Sequence, residues 1–253
     1  MRLHYLELIW FSTYAELRAE RARSYLGFLW WLLDPALQMG IYYLVFSVIL
    51  KTASRDYVPF LLIGLTIWQW FKSCVSHAGS AIWQNLGLIR QVKLPAMVFP
   101  SVQILADTVK FVFILALLIL ILWIIGYPPS AAYAALPLVL LATLLFASAA
   151  GYLVAALMPL LPDMRFVIEQ LLFIFMFVSG IVFSVNDVSP NLRELLRLNP
   201  MVDLIEAARG ILMRGEWPAW LALARVALAS AAFYAATLYL IHRTTARYVK
   251  LAS

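Results

Sequence analysis

The chain has 253 residues, of which 64% are apolar and only 13% charged, with a mean hydropathy of +0.89. Soluble domains are roughly half apolar and a quarter charged, so this composition excludes a disordered segment and an ordinary soluble domain and points into the bilayer. The formal net charge of +6 reads, in so apolar a chain, as an orientation signal rather than a nucleic-acid footprint.

Residues 1–25 carry Arg2, Glu7, Glu16, Arg18, Glu20, Arg21 and Arg23, with no continuous apolar core or small-residue cleavage site, so no cleaved signal peptide is expected here. Leu3, Leu6, Trp10, Tyr14 and Leu17 recur at helical spacing opposite Glu7, Arg18 and Glu20. This predicts an amphipathic helix lying along the membrane surface. A spanning helix needs about 20 mostly apolar residues. Gly27–Leu50 and Phe60–Ile82 supply two, separated by the polar turn from Lys51 to Asp56. No Asp, Glu, Lys or Arg occurs in the 52 residues between Lys110 and Asp163. They hold two more spans, split at Gly126-Tyr-Pro-Pro-Ser130, where adjacent prolines break a helix. Phe166–Val185 and Trp217–Ile241 complete six spans. Within them Cys74 reads as a small core residue, and Trp68, Trp70 and Trp83 suit interfacial belt positions. The fold class expected is an all-α integral membrane protein, one domain over 1–253.

Basic residues near the helix ends set the orientation. With the N-terminus in the cytoplasm, ten lie inside: Arg2, Arg18, Arg21, Arg23, Arg90, Lys93, Arg165, Arg243, Arg247 and Lys250. Six lie outside: Lys51, Arg55, Arg193, Arg197, Arg209 and Arg214. Both termini are therefore expected in the cytoplasm.

Two loops carry further information. Residues 84–97 mix apolar and basic side chains and stop at Pro95. A short helix there presents Leu86, Ile89, Arg90 and Lys93 to something outside the membrane, or forms an interfacial turn with snorkelling basic ends; both readings fit the composition. Residues 186–216 place an N-cap before proline twice, at Ser189-Pro190 and Asn199-Pro200. Two short helices follow, Asn191–Leu198 and Met201–Met213, the first too apolar for free solution. The pair is expected to dip back toward the bilayer, where irregular backbone needs protein or a water-filled cavity beside it. Glu206 and Arg209, three apart, can pair on one helix face; buried, such a pair would lock the hairpin.

Lys72, Asp107, Lys110, Glu169 and Arg225 fall in or near predicted spans. Asp107 and Lys110 stand at i,i+3 and can neutralise one another, so structural pairing with snorkelling accounts for these charges; an ion relay is the alternative. His4, His77 and His242 are far apart, and His77 reads as a hydrogen-bonded packing residue. No phosphate-cradling G-x-x-x-x-G-K-[ST] occurs, nor H-E-x-x-H, nor G-x-S-x-G. No catalysis and no cofactor is expected on this chain.

Arg21-Ala-Arg-Ser-Tyr-Leu-Gly-Phe-Leu-Trp-Trp-Leu-Leu-Asp-Pro35 forms a familiar approach to a first span. Pro95, Pro100, Pro162-Asp163-Met-Arg165, Ser179-Gly180 and Asn199-Pro200 with Glu206 and Arg209 continue the pattern. The chain resembles the membrane subunit of type-2 ABC exporters, in the polysaccharide-export branch that serves O-antigen, capsule and teichoic acid. Asp34 before Pro35, with Ser179-Gly180, leans toward the capsule exporters, and Val92-Lys-Leu-Pro95 toward the O-antigen exporters. The resemblance implies a homodimer in the inner membrane, paired with two copies of a cytosolic ATPase that carries the ATP and Mg. It assigns residues 84–97 as the coupling helix and residues 1–25 as a gate helix, and implies a lipid-linked polysaccharide as substrate.

A sugar polymer is too polar for lipid, yet each pyranose has a flat C–H face that packs on aromatic rings. A conduit for it should be aromatic, with many individually weak contacts. Trp31, Gln38, Tyr42 and Phe46 share a face of the first span, and Phe166, Gln170, Phe173 and Phe177 share one of the fifth. These faces are expected to line the path; lipid-facing aromatics are the alternative. An ABC permease for lipid or drug fits the same scaffold, and a membrane enzyme acting on lipid-linked sugars would have only Glu206 and Arg209 to offer.

Overall fold

The computed structural model describes residues 2–23, 56–91, 94–161 and 163–251, together with positions 29, 33, 37, 40, 41, 44 and 45. Among them the long elements are all helices: α1 (Arg2–Arg23), α2 (Tyr57–Gln84), α3 (Leu86–Gln91), α4 (Val98–Ile125), α5 (Leu136–Leu157), α6 (Met164–Val178), α7 (Pro190–Leu196), α8 (Pro200–Arg209) and α9 (Trp220–Leu251). A 3-10 turn, Ala131–Ala135, leads into α5, and a π turn, Gly210–Arg214, follows α8.

Among the described residues four segments are long and apolar enough to cross a membrane: Tyr57–Gln84, Val98–Ile125, Ala131–Leu157 and Trp220–Thr244. At 1.5 Å per residue each exceeds the roughly 30 Å hydrocarbon core. They correspond to the second, third, fourth and sixth predicted spans. Most of the predicted first span, Gly27–Leu50, lies outside the described residues. The predicted fifth, Phe166–Val185, is shorter than expected: α6 has 15 residues, about 22 Å of helix. It ends at Ser179-Gly180, where Ser179 Oγ donates back to Phe175 O and Gly180 takes a left-handed φ of 66°. The chain then turns, burying Ile181 and Val185.

Local sequence sets the other boundaries. α4 stops at Gly126, φ 111°, whose N–H reaches the Leu122 and Trp123 carbonyls just before Pro128-Pro129. α8 starts as predicted, with Asn199 Oδ1 accepting from Met201 N at 2.9 Å and Pro200 following. Ser189 precedes Pro190 but makes no side-chain capping bond.

α2 is the central helix. Of its most apolar stretch 67% is buried, against 17% in both α4 and α9. It packs on α4 and α5, and α5 packs in turn on α9. The α2–α5 approach is close because both helices are thin there: a Cβ on Gly151 would lie 3.1 Å from the Cys74 carbonyl, and one on Gly79 would collide with Val154. Small residues that let backbones meet are how helices associate when lipid supplies no hydrophobic drive. Toward α4 the contact is aromatic, with Trp70 and Phe111 stacked at 3.9 Å and Trp70 Nε1 donating to Thr108 Oγ1 at 3.3 Å. Trp68 and Trp70 are therefore buried core residues and not belt residues; of the three, only Trp83, at the end of α2, is exposed. Cys74 is buried, as expected.

The alternation of the helices gives the bundle two ends. One carries α3, the start of α4 and the α5–α6 turn, with the end of α9 beside α3. The other carries Asp56, whose carboxylate accepts from Tyr127, and the segment from Gly180 to Ala219.

Candidate functional site

The least covered helix in the middle of the chain is α6. Phe166, Phe173 and Phe177 are 74%, 57% and 46% exposed, Gln170 is exposed between them, and Leu172 is the one buried residue of the helix. Positions 166, 170, 173 and 177 follow helical spacing and lie on one face. Phe173 and Phe177 meet edge to face at 5.3 Å, so the face is an aromatic strip in which Gln170 separates this ring pair from Phe166. Trp31, Gln38, Tyr42 and Phe46, the predicted other half of the lining, lie outside the described residues.

α1 packs on α4, and the face it uses is adjacent to the one the periodicity singled out. Thr13 is buried, with Oγ1 donating to Ile9 O at 2.7 Å and lying 3.5 Å from Val102 O. Leu6, Trp10 and Tyr14 point away from the bundle and Leu17 is half-buried. Two turns beyond Thr13, Glu20 Oε2 receives Lys110 Nζ at 2.9 Å. Lys110 also lies 3.0 Å from Asp107 Oδ1, the i,i+3 pair read from the sequence. The pair is part of a larger cluster: His77 Nδ1 is 2.8 Å from Asp107 Oδ2. Asp107 is nearly inaccessible, whereas half of the His77 side chain is exposed, so His77 makes the expected hydrogen bond from the rim of a charge cluster that joins α1, α4 and α2. Sequence offered no signal for the Glu20 and His77 partners, because both contacts are long-range.

α3 forms where the 84–97 loop was expected to hold a short helix. Asn85 starts it, its carbonyl accepting from Leu88 and Ile89 while its side chain ties back to Ala81 O at 2.8 Å. The outward face is different from the predicted one. Ile89 is buried in the main core and Leu86 packs against that core, whereas Leu88 and Gln91 are exposed. With six residues on one turn and a half, the helix cannot point Leu86, Ile89 and Leu88 the same way. The Arg90 side chain and Lys93 lie outside the described residues.

Arg209 is the most deeply placed charge on the opposite end, 1% exposed. Its Nε donates to Phe60 O at 3.1 Å, Nη1 to Gly180 O at 2.8 Å and Nη2 to Ile181 O at 3.0 Å. The guanidinium also lies 3.3 Å over the Phe60 ring. Gly64 makes room: a Cβ there would stand 2.6 Å from Nη2. Burial pulls the Arg209 pKa below its ordinary value, and Glu206 opposes the shift. The predicted Glu206–Arg209 pair exists but is long, 3.8 Å; Glu206 bonds Arg214 at 2.8 Å instead. The hairpin is locked by an arginine fork on three backbone carbonyls, which leaves the ion pair a secondary contact. The Gly180 and Ile181 carbonyls are available because they lie past the end of α6, whereas the Phe60 carbonyl, in the first turn of α2, offers its second lone pair.

A helical bundle with several membrane-crossing segments, an uncovered aromatic face, a short helix at one end and a clamped helical pair at the other defines a polytopic membrane protein. Its residues 7–213 match the ABC-2 type transporter family, and the chain belongs to that family. It is 30% identical over 205 residues to the O-antigen export system permease protein RfbA of Myxococcus xanthus, covering 80% of this chain and 79% of that protein. It is 23% identical over 210 residues to the protein of the same description from Klebsiella pneumoniae, covering 83% and 81%. To the polysialic acid transport protein KpsM of Escherichia coli it is 27% identical over 203 residues, 79% of each chain.

Proposed function

We propose that two copies of this chain form the membrane half of an exporter that carries a lipid-linked O-antigen- or capsule-type polysaccharide across the inner membrane. Two copies of a separate cytosolic ABC ATPase bind ATP and Mg and supply the work. The observation that carries this reading is the aromatic strip of α6, left bare in a single copy, in a chain whose relatives are named for O-antigen and polysialic acid transport.

Each subunit crosses six times with both termini in the cytoplasm, and the α3 end is the cytoplasmic one. Phe166, Phe173 and Phe177, with Gln170, face the same strip of the second copy. Trp31, Gln38, Tyr42 and Phe46 of the first span complete the wall. Rings pack on the C–H faces of successive sugars at about 0.5–1.5 kcal/mol each. A row of such contacts holds the polymer while letting it slide, because no single one is deep. The ATPase pushes on α3 through Leu88 and the basic residues Arg90 and Lys93. Buried Ile89 passes that push to the core. α1, with Leu6, Trp10, Tyr14 and Leu17 toward the lipid interface, gates the lipid-linked end, and α7 and α8 close the outer end on the Arg209 clamp.

Alanine at Phe177 and at Tyr42 tests the lining in a strain dependent on this chain for surface polymer. The expected outcome is reduced surface polymer at unchanged abundance and unchanged dimer yield. Full export at normal abundance in both variants would overturn it.

A further inference from the structure

Arg225 is a charge that none of the contacts above explains. It stands five residues after Trp220, inside the segment Trp220–Thr244 that is otherwise apolar enough to cross a bilayer. A charge at such a depth faces protein, water or a polar headgroup. Here it lines a cleft of about 260 Å³ together with Arg197, Asp203, Glu206, Arg214 and Glu216. Arg214 is satisfied by Glu206 and Glu216, each at 2.8 Å. Arg197, Arg225 and half-buried Asp203 remain, and among the described residues none of these three side chains forms an ion pair. Burial raises the Asp203 carboxyl, and Arg197 and Arg225, both within electrostatic reach, oppose that.

A second hollow of about 310 Å³ adjoins the first and shares its Leu223 wall. It is apolar, a groove with Leu138, Leu141 and Leu145 of α5 on one side and Trp220 and Ala227 of α9 on the other. Leu138 and Leu141 are exposed, so the groove opens sideways, where lipid lies. Trp217 and Trp220, with ring centroids 6.0 Å apart and both half exposed, stand beside the junction, the depth at which tryptophan marks a headgroup layer. Two cations and one carboxylate thus line a cleft that shares a wall with an apolar groove.

We propose that this composite site binds a zwitterionic phospholipid of the phosphatidylethanolamine type, with its phosphodiester between Arg197 and Arg225, its ammonium on Asp203, and one acyl chain in the groove between α5 and α9. The charge set selects the headgroup. A phosphodiester carries one negative charge and suits the guanidinium fork, and an ammonium brings three donors to a carboxylate. A headgroup with phosphate and no ammonium leaves Asp203 facing negative charge, and a pyrophosphate would meet Glu206 and Glu216 besides. Arg197 and Asp203 belong to the outer helical pair and Arg225 to the last span, so one bound lipid ties these elements together. This site does not depend on polymer export, and either reading can fail without the other.

The test is native mass spectrometry of the purified, delipidated full chain with phosphatidylethanolamine, with phosphatidylglycerol of the same acyl chains, and with soluble phosphoethanolamine. One charge-assisted bond to Asp203 is worth about tenfold in affinity, so phosphatidylethanolamine is expected to bind about tenfold tighter than phosphatidylglycerol. Soluble phosphoethanolamine, lacking the chains, should not compete at equal concentration. Arg225→Gln should weaken phosphatidylethanolamine about tenfold, Asp203→Asn should abolish the preference between the two lipids, and Ala227→Trp should weaken both by filling the groove. Equal binding of the two lipids by the native chain overturns the proposal without any variant. So does competition by phosphoethanolamine, or unchanged binding in both Arg225→Gln and Ala227→Trp.

Discussion

Arg209→Lys keeps the buried charge and removes the fork. The native guanidinium serves three carbonyls, those of Phe60, Gly180 and Ile181, at 3.1, 2.8 and 3.0 Å. A lysine head on a single stem reaches one of them, so two charge-assisted bonds to buried carbonyls are lost. At about 1.5–3 kcal/mol each the cost is about 3–6 kcal/mol. At roughly 2–4 °C per kcal/mol for a chain of this size, the melting temperature of the solubilised full chain should fall by about 6–24 °C. The assay is the fraction surviving as a monodisperse peak after heating. Glu206→Gln should cost less than half as much, because Glu206 lies 3.8 Å from Arg209 and makes its short contact, 2.8 Å, to Arg214. An Arg209→Lys melting point within about 2 °C of native, or a Glu206→Gln loss as large, would refute the carbonyl clamp and return the lock to the ion pair.

Gly64→Ala should be costly for the same reason, by about 1–3 kcal/mol of overpacking, since its Cβ would stand 2.6 Å from Arg209 Nη2; a melting curve equal to native would contradict it. Lys110→Met cuts the link between Glu20 and Asp107, and hydrogen exchange along residues 9–20 should accelerate about tenfold or more as α1 loosens; unchanged protection would mean α1 is held by packing alone. Ile89→Ala should lower stability by about 2–5 kcal/mol, as expected of a buried aliphatic. Leu88→Ala should leave stability alone and weaken association with the ATPase about fivefold, and co-purification with heat challenge separates the two.

The sequence made the membrane character, four of the spans and the Asn199-Pro200 helix start legible, because each rests on local chemistry: a charge gap, paired prolines, a capping side chain. Which helix is central was not legible. α4 is much the more apolar of the two, yet α2 is the buried one. In lipid the greasiest helix is the one that faces lipid, while a central helix can carry Thr66, Gln69, Lys72 and His77 among its neighbours. That inversion also explains Trp68 and Trp70, assigned to the belt by residue type and buried by the position of α2. Arg209 was singled out with the wrong principal partner, because bonds from a side chain to sequence-distant backbone carbonyls have no sequence signature. α3 was placed correctly and its faces were not, since a six-residue helix has too little periodicity to read. Of the proposed lining only the α6 half has its exposure described; Trp31, Gln38, Tyr42 and Phe46 rest on sequence.

The α6 strip tests the account most directly, since exposure to water and exposure to lipid look alike in a single copy. Cys74 is the only cysteine and is buried, so Cys74→Ala gives a silent background into which Phe173→Cys, Phe177→Cys, Val112→Cys and Leu228→Cys are placed singly. A thiol reacts with a charged maleimide only where water lets the thiolate form. Leu228 is 72% exposed, Val112 57% and Phe173 57%, so bare accessibility favours the two control sites or draws level. In membranes with the ATPase turning over, the account predicts rapid labelling at positions 173 and 177 and almost none at 112 and 228. Labelling at Phe173→Cys no faster than at Leu228→Cys would place the aromatic face in lipid and contradict a polymer path along it.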